Sequence, residues 1–212
     1  MFVHLRCHSH YSFLRGVNPP EEIIAAAVEQ KMSAVALTDT DGMYAVVPFY
    51  KAARAAGVKP IVGVTLEVKG EVKEVKEKER RNSSASVAMV LLAADAEGYS
   101  NLCRLTTLRQ LGVLRPGQET FAEEAGRAVT VEELAAHGAG VIALWPAGIL
   151  RGGFVQEGRQ STVDSQQSTI TSHLLWMKEI FGERFRLACW SGGWDFRDIR
   201  CFFRRFPPPR LR

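Results

Sequence analysis

The first 68 residues alternate strand, helix, strand, helix, strand, and that order leaves few architectures open to the chain. Phe2, Val3 and Leu5 have the composition of a short buried strand. Asn18 followed by Pro19, Pro20, Glu21 and Glu22 predicts a helix start: a capping side chain, proline in the first turn, and acids at the positive end of the dipole. The helix is predicted to run to about Lys31, with Ile23, Ile24, Ala27 and Val28 as its apolar stripe. Ala34 to Leu37 is a continuous apolar run of the kind found in buried parallel strands. A second helix is predicted from about Met43 to Ala56, closed by Gly57, and a third strand from Ile61 to Val68. Such alternation belongs to a parallel sheet or a (β/α) barrel, whose right-handed crossovers bring the strand ends to one rim.

That rim collects the polar residues. His8 and His10 follow the first strand, Asp39 and Asp41 the second, and Thr65 and Glu67 lie near the end of the third, where such folds place their chemistry. Three of the five histidines, His4, His8 and His10, fall within this opening stretch, and alternate positions on a strand end point to one face, so two imidazoles could share a metal. The competing reading is imidazoles hydrogen-bonded to nearby backbone. For Asp39 and Asp41 the competing reading is turn and cap chemistry, to which Asp before Gly is suited. Gly16 is read as the residue that permits the turn after the histidines.

Residues 69 to 86 alternate charge signs and read as a solvated hairpin or loop. A buried strand is predicted over Val87 to Ala94, then a helix opened by Asp95 and running to about Arg109. Residues 112 to 128 show no clear periodicity. Thr130 with Glu133 makes a capping box for a short helix to about Ala136, and Gly140 to Trp145 reads as a strand. Residues 146 to 170 read as a long loop, followed by a helix at 172 to 182 and a strand at 184 to 188.

The four cysteines, Cys7, Cys103, Cys189 and Cys201, are scattered without a CxxC pair, which argues against a zinc ribbon or a disulfide framework. No apolar run is long enough to cross a bilayer and no secretion signal opens the chain, so a cytoplasmic protein without a membrane partner is expected. The net charge of +4 comes from residues 189 to 212, where six arginines face Asp195 and Asp198. The remainder is balanced, so bulk charge gives no support for a long phosphate-binding groove.

Five stretches in order carry a resemblance: FVHLRCHSHYSFLRG, SAVALTDTDGMYAVVPFYKAARAAGVKPIVGVTLEV, LLAADAEGYSNLCRLTT, VTVEELAAHGAGVIAL and MKEIFGERF. Together they resemble the PHP (polymerase and histidinol phosphatase) domain at the N-terminus of bacterial DNA polymerase III alpha subunits, including the error-prone type. The resemblance implies an α/β fold, a distorted (β/α) barrel, incomplete here at its C-terminus because the likeness stops near residue 188. The implied domain is thus 1 to 188, partial, with an atypical tail at 189 to 212.

Carried over position by position, the family's metal-binding pattern is largely missing. Its HxH falls on Arg6, Cys7 and His8, so only His8 fits, as a vestigial ligand. Its acid before the turn glycine falls on Arg15, the histidine of its TDH on Thr40 after Asp39, and its acid after the third strand on Thr65. His10, Asp39, Asp41 and Glu67 are left as candidates for residual metal binding. Arg6, Arg15 and Lys59 are candidate phosphate contacts, with local ion pairs as the alternative.

What the resemblance implies is an N-terminal fragment of a DNA-directed DNA polymerase, active in replication and repair synthesis as a whole. The fragment has no catalytic residue of its own and no expected cofactor, magnesium serving the parent enzyme. It would act as a structural platform for the remainder of the polymerase chain and a proofreading or clamp-associated subunit, with DNA reached through the parent enzyme. Two alternatives stand beside this: a metal-dependent phosphoesterase or 3'-5' exonuclease, and a free-standing non-enzymatic binding protein.

The tail CWSGGWDFRDIRCFFRRFPPPRLR combines two tryptophans, two cysteines, six arginines and a Pro207-Pro208-Pro209 run without periodicity. It is expected to come from a frameshift or truncation, with a native basic tail as the rival. Translating the gene in the other two frames beyond codon 188 tests this: polymerase-like sequence is expected there, and relatives carrying this same tail would overturn it.

Overall fold

The computed structural model describes residues 2–69, 86–112, 127–146, 177–178 and 180–188. The segments expected as a charged hairpin at 69 to 86, as aperiodic chain at 112 to 128 and as a long loop at 146 to 170 lie almost wholly outside these residues, as does the tail. Two compact units are distinguished, Met1–Ala143 and Leu144–Arg212.

The first unit is built on helix α1 (Pro20–Glu29), strand β1 (Ala34–Leu37), helix α2 (Val46–Ala55), the long strand β2 (Lys59–Lys69), strand β3 (Ser86–Ala93), helix α3 (Ala96–Leu111), the two-residue strand β4 (Val129–Thr130), helix α4 (Val131–Ala136) and the start of strand β5 (Val141–Pro146). In the second unit the described residues comprise the end of β5, the helical Met177, Lys178, Ile180 and Phe181, a 3-10 turn at Gly182–Arg184, and strand β6 (Phe185–Ala188).

β1 runs parallel to the first third of β2, with Ala34 opposite Lys59 and Leu37 opposite Val62. The rest of β2 pairs antiparallel with β3, from Gly63 opposite Leu92 to Lys69 opposite Ser86, while β4 joins β2 in parallel at Val68 and Lys69. The sheet is therefore mixed, which alternation in the first 68 residues could not reveal. A direct return between adjacent strand ends is open only to an antiparallel pair, and Lys69 and Ser86 are such ends.

Helices α1 and α2 cover one side of β1. Ile24, Ala27, Met32, Val35, Leu37, Ala45, Phe49, Ala53 and Val58 form one buried cluster there, with Ile23 and Cys7 packed against it. Phe49 is wholly buried, and burying such a side chain contributes about 2–3 kcal/mol. α3 packs on β2 and β3, where Leu102 and Leu105 are fully buried. Among the described residues no helix is long and apolar enough to cross a membrane.

Three local expectations are corrected. The first strand is reduced to one bridge, His4 beside Val35, and Phe2 and Leu5 are exposed, because the chain here meets the sheet only through its backbone. Asn18 does not cap α1; its amide donates to Glu22 Oε2 at 2.7 Å, and Pro19 stands at the cap position. α2 starts at Val46, three residues late, because Asp41 sits at φ 56° and Gly42 lies against the Tyr44 ring, holding the chain in a loop. The capping box is as expected, with Thr130 and Glu133 exchanging both hydrogen bonds.

α3 is fixed at its start by Asp95, whose side chain accepts from the Gly98 amide at 2.8 Å. Gly98 lies so close to the turn before β5 that an added Cβ would stand 1.9 Å from the Gly140 carbonyl oxygen. Neither backbone can retreat without losing the 2.8 Å bond from the Ala94 amide to that oxygen. Gly98→Ala is expected to cost about 3 kcal/mol, read as a lower midpoint in urea unfolding; an unchanged midpoint would show that α3 is not held against this turn.

Candidate functional site at the strand ends

Asp39 follows β1 and is 2% exposed, so its charge is buried in the rim. A buried carboxylate persists only where donors replace water. The opening segment supplies them. Asp39 Oδ1 accepts from the Ser9 amide at 2.6 Å and from Ser12 Oγ at 2.6 Å, and Oδ2 accepts from Ser9 Oγ at 2.7 Å. Ser12 Oγ also accepts from the Thr40 amide at 3.0 Å and lies 3.4 Å from His8 Nδ1. Ser9 and Ser12 are themselves completely buried.

The backbone closes the same region. Cys7 carbonyl accepts from both the amide and the hydroxyl of Thr38, at 2.9 and 3.1 Å. Thr65, buried on β2, donates from its hydroxyl to the Thr38 carbonyl at 2.9 Å and exchanges backbone bonds with Asp39 and Asp41. The turn from Ser12 returns to Ser9 at Gly16, where an added Cβ would stand 1.9 Å from the Ser9 carbonyl oxygen. Gly16 has no positive φ; it is needed for closeness, not for a left-handed turn.

His8 is partly buried. Burial lowers its pKa from the ordinary value, as do the charges of Arg6 and Arg15, against an opposing pull from Asp39. The imidazole is thus kept neutral at neutral pH. Burial pushes the Cys7 thiol up to about 11, which leaves it protonated and inert. Thr40 Oγ1 is buried without a hydrogen-bond partner among the described residues.

The candidates read from sequence separate into two groups. His8, Asp39, Thr40 and Thr65 come together at this rim, and the exposed Arg6 and Arg15 are near enough for their charges to act on His8. His10 is exposed and stacks on Tyr11, with ring centroids 4.4 Å apart. Asp41 is committed elsewhere: Arg109 donates to both its carboxylate oxygens at 3.0 Å, and Gln110 donates to its carbonyl. Glu67 is partly buried on β2, opposite Ala88. Lys59 begins β2 opposite Ala34, six residues from Thr65 and therefore about 20 Å from the rim along the strand.

Sequence reading missed Ser9 and Ser12 as the partners of Asp39, and the tie from Arg109 to Asp41. The spacing Ser-x-x-Ser within the histidine-rich opening was the available signal for the first; nothing in the sequence signals the second. Among the described residues, no three of His, Cys, Asp and Glu are grouped as a metal would require.

The geometry defines an α/β domain whose strand ends converge on a buried carboxylate held by serine donors. The PHP domain family profile matches residues 4–189, and the chain belongs to that family. An error-prone DNA polymerase of Anaeromyxobacter sp. (strain K) is 37% identical over 145 residues, 68% of this chain and 12% of that protein. The DNA polymerase III subunit alpha of Chlamydia muridarum is 33% identical over 184 residues, 87% of this chain and 14% of that protein. The chain thus spans less than a sixth of the length of these relatives. Among solved structures, an amidohydrolase from Chromobacterium violaceum has a TM-score of 0.49 and 17% identity, covering 87% of this chain and 75% of that one.

If Asp39 is the anchor of the opening loop, its removal strands the Ser9 amide and two buried hydroxyls. Asp39→Ala is expected to lower the unfolding free energy by about 3–5 kcal/mol, and Ser9→Ala by about 1–2 kcal/mol. Urea denaturation of both variants checks this, and a loss below about 0.5 kcal/mol for Asp39→Ala would remove the network from its anchoring role.

Proposed function

We propose that this chain is the N-terminal PHP domain of a bacterial DNA polymerase of the polymerase III alpha or error-prone type, and that the domain acts as a structural platform, not as a catalyst. Its sheet is the wall of a distorted (β/α) barrel. Its partners are the remainder of the polymerase chain and a proofreading or clamp-associated subunit, and it meets DNA through the parent enzyme, whose nucleotide transfer uses magnesium.

The observation that carries the platform reading is the use made of Asp39. Its Oδ1 already takes two donors and its Oδ2 one, so the carboxylate that would be a metal ligand is spent on holding the opening loop. The donor set around it is also wrong for a divalent cation. Arg6 and Arg15 add fixed positive charge, Thr40 and Thr65 offer hydroxyls, and only His8 supplies an imidazole. The residues present do not fit a metal cluster, and the rim therefore lacks the ligands on which a metal-assisted hydrolysis would run. Similarity to two kinds of polymerase over most of the chain supports the parentage.

Elemental analysis of the purified chain after loading with zinc, manganese or iron is expected to find well under one ion per chain, with negligible hydrolysis of p-nitrophenyl phosphate and of a 3'-labelled oligonucleotide. Primer extension with magnesium and deoxynucleotides is expected to be absent as well. Two or three tightly held ions, lost in His8→Ala, would replace the platform with a phosphoesterase.

A further inference from the structure

We infer that the tip of the opening loop, Phe13, Leu14 and Val17, is a docking surface for the polymerase body, the part of the relatives that lies outside the stretch matched by this chain. Its occupant is an apolar pocket in that body with carboxylates at its edge. The inference deepens the platform reading and rests on it, because it names the surface by which the domain is held.

Two costs fall on one turn. The Arg15 amide donates to the Ser12 carbonyl at 2.9 Å, which makes Phe13 and Leu14 the central pair of the turn. Leu14 stands there at φ 59°, a left-handed backbone that glycine adopts without the strain of a Cβ. Phe13 is 86% exposed, Leu14 90% and Val17 88%. Neither cost is offset among the described residues, since the strained residue is a large apolar one whose side chain faces solvent.

The tip is presented rigidly. Behind it, Ser9 and Ser12 are fixed on Asp39, the Gly16 amide also donates to the Ser12 carbonyl, and the His10 amide closes the loop on the Asn18 carbonyl at 2.9 Å. A preorganised tip loses little freedom on binding, which favours insertion into a pocket. Arg15 follows Leu14 directly, is exposed, and has no carboxylate partner among the described residues, so acids at the pocket edge are its complement.

Area decides the kind of occupant. Three side chains cover only a fraction of the roughly 800 Å² per partner that separate proteins need for a stable complex. Such a contact suffices where a covalent link already keeps the two sides at high effective concentration. The matched stretch is 14% of the Chlamydia muridarum polymerase, so in that relative a long polypeptide is tethered to the matching region.

The test replaces the matching stretch of 184 residues in the Chlamydia muridarum DNA polymerase III subunit alpha with that of this chain, and compares hydrogen exchange in the purified chimaera with that in the free chain. Amides of residues 13 to 17, followed by mass spectrometry, are expected to exchange at least about tenfold more slowly in the chimaera. In the free chain, Phe13→Ser and Leu14→Gly are expected to leave the melting temperature unchanged or raised, since one removes exposed apolar surface and the other relieves the left-handed backbone. In the chimaera each is expected to restore most of the fast exchange. Arg15→Glu is expected to do so more strongly than Arg15→Gln, whereas Val28→Ser, exposed on α1, changes nothing. Protection confined to other segments, a chimaera indifferent to both tip variants, or tip variants that destabilise the free chain as much as the chimaera would overturn the inference and leave the platform reading in place. No protection anywhere in this chain, or a chimaera that does not fold, removes both. A free chain that dimerises through Phe13, or that sediments with phosphatidylglycerol vesicles until Phe13 is replaced, gives the tip another occupant and overturns the inference as well.

Discussion

A buried negative charge governs the first half of this domain. Asp39 sits at the end of a strand whose four residues are all buried, so the carboxylate cannot reach water without pulling β1 out of the sheet. The protein meets the cost of that burial with donors from a segment thirty residues earlier, and this is what attaches the opening loop to the sheet. Large apolar side chains do little to hold the loop, since Phe13, Leu14 and Val17 are almost fully exposed and Phe2 and Leu5 are exposed as well. Electrostatics does here what apolar packing does around α1 and α2.

The same interaction makes the rim a structural joint between the opening loop and the sheet. The Asp39 carboxylate accepts three protein donors at 2.6 to 2.7 Å, which joins two segments far apart in the chain. Thr65 adds to the joint, because its hydroxyl secures the Thr38 carbonyl between the two strands. Membership of the PHP domain family thus fixes where the rim lies, and the side chains at the rim fix what it can hold.

Much of the scaffold was legible because its signals are local. The run Ala34 to Leu37, the capping box at Thr130 and Glu133, and the Asp95 start of α3 each depend on neighbours within four residues, and each is found where periodicity and capping place it. What was not legible depends on distance. The antiparallel turn of β3 against β2 is a choice between topologies that a buried apolar run does not encode. The opening strand failed because a backbone bridge to Val35 needs no buried side chains, so composition and structure parted. The rim residues were found by their position after strands, yet their partners were not, since Ser9 and Ser12 bear no mark of a carboxylate 30 and 27 residues away.

The tie between Arg109 and Asp41 reaches across 68 residues. A ribosome adding about 5–20 residues each second delivers Arg109 roughly 3–14 s after Asp41 has emerged. During that interval the guanidinium clamp on the left-handed Asp41 backbone is not available. The donors to Asp39 all lie within the first forty residues, whereas the clamp on Asp41 cannot form until the third helix has been synthesised.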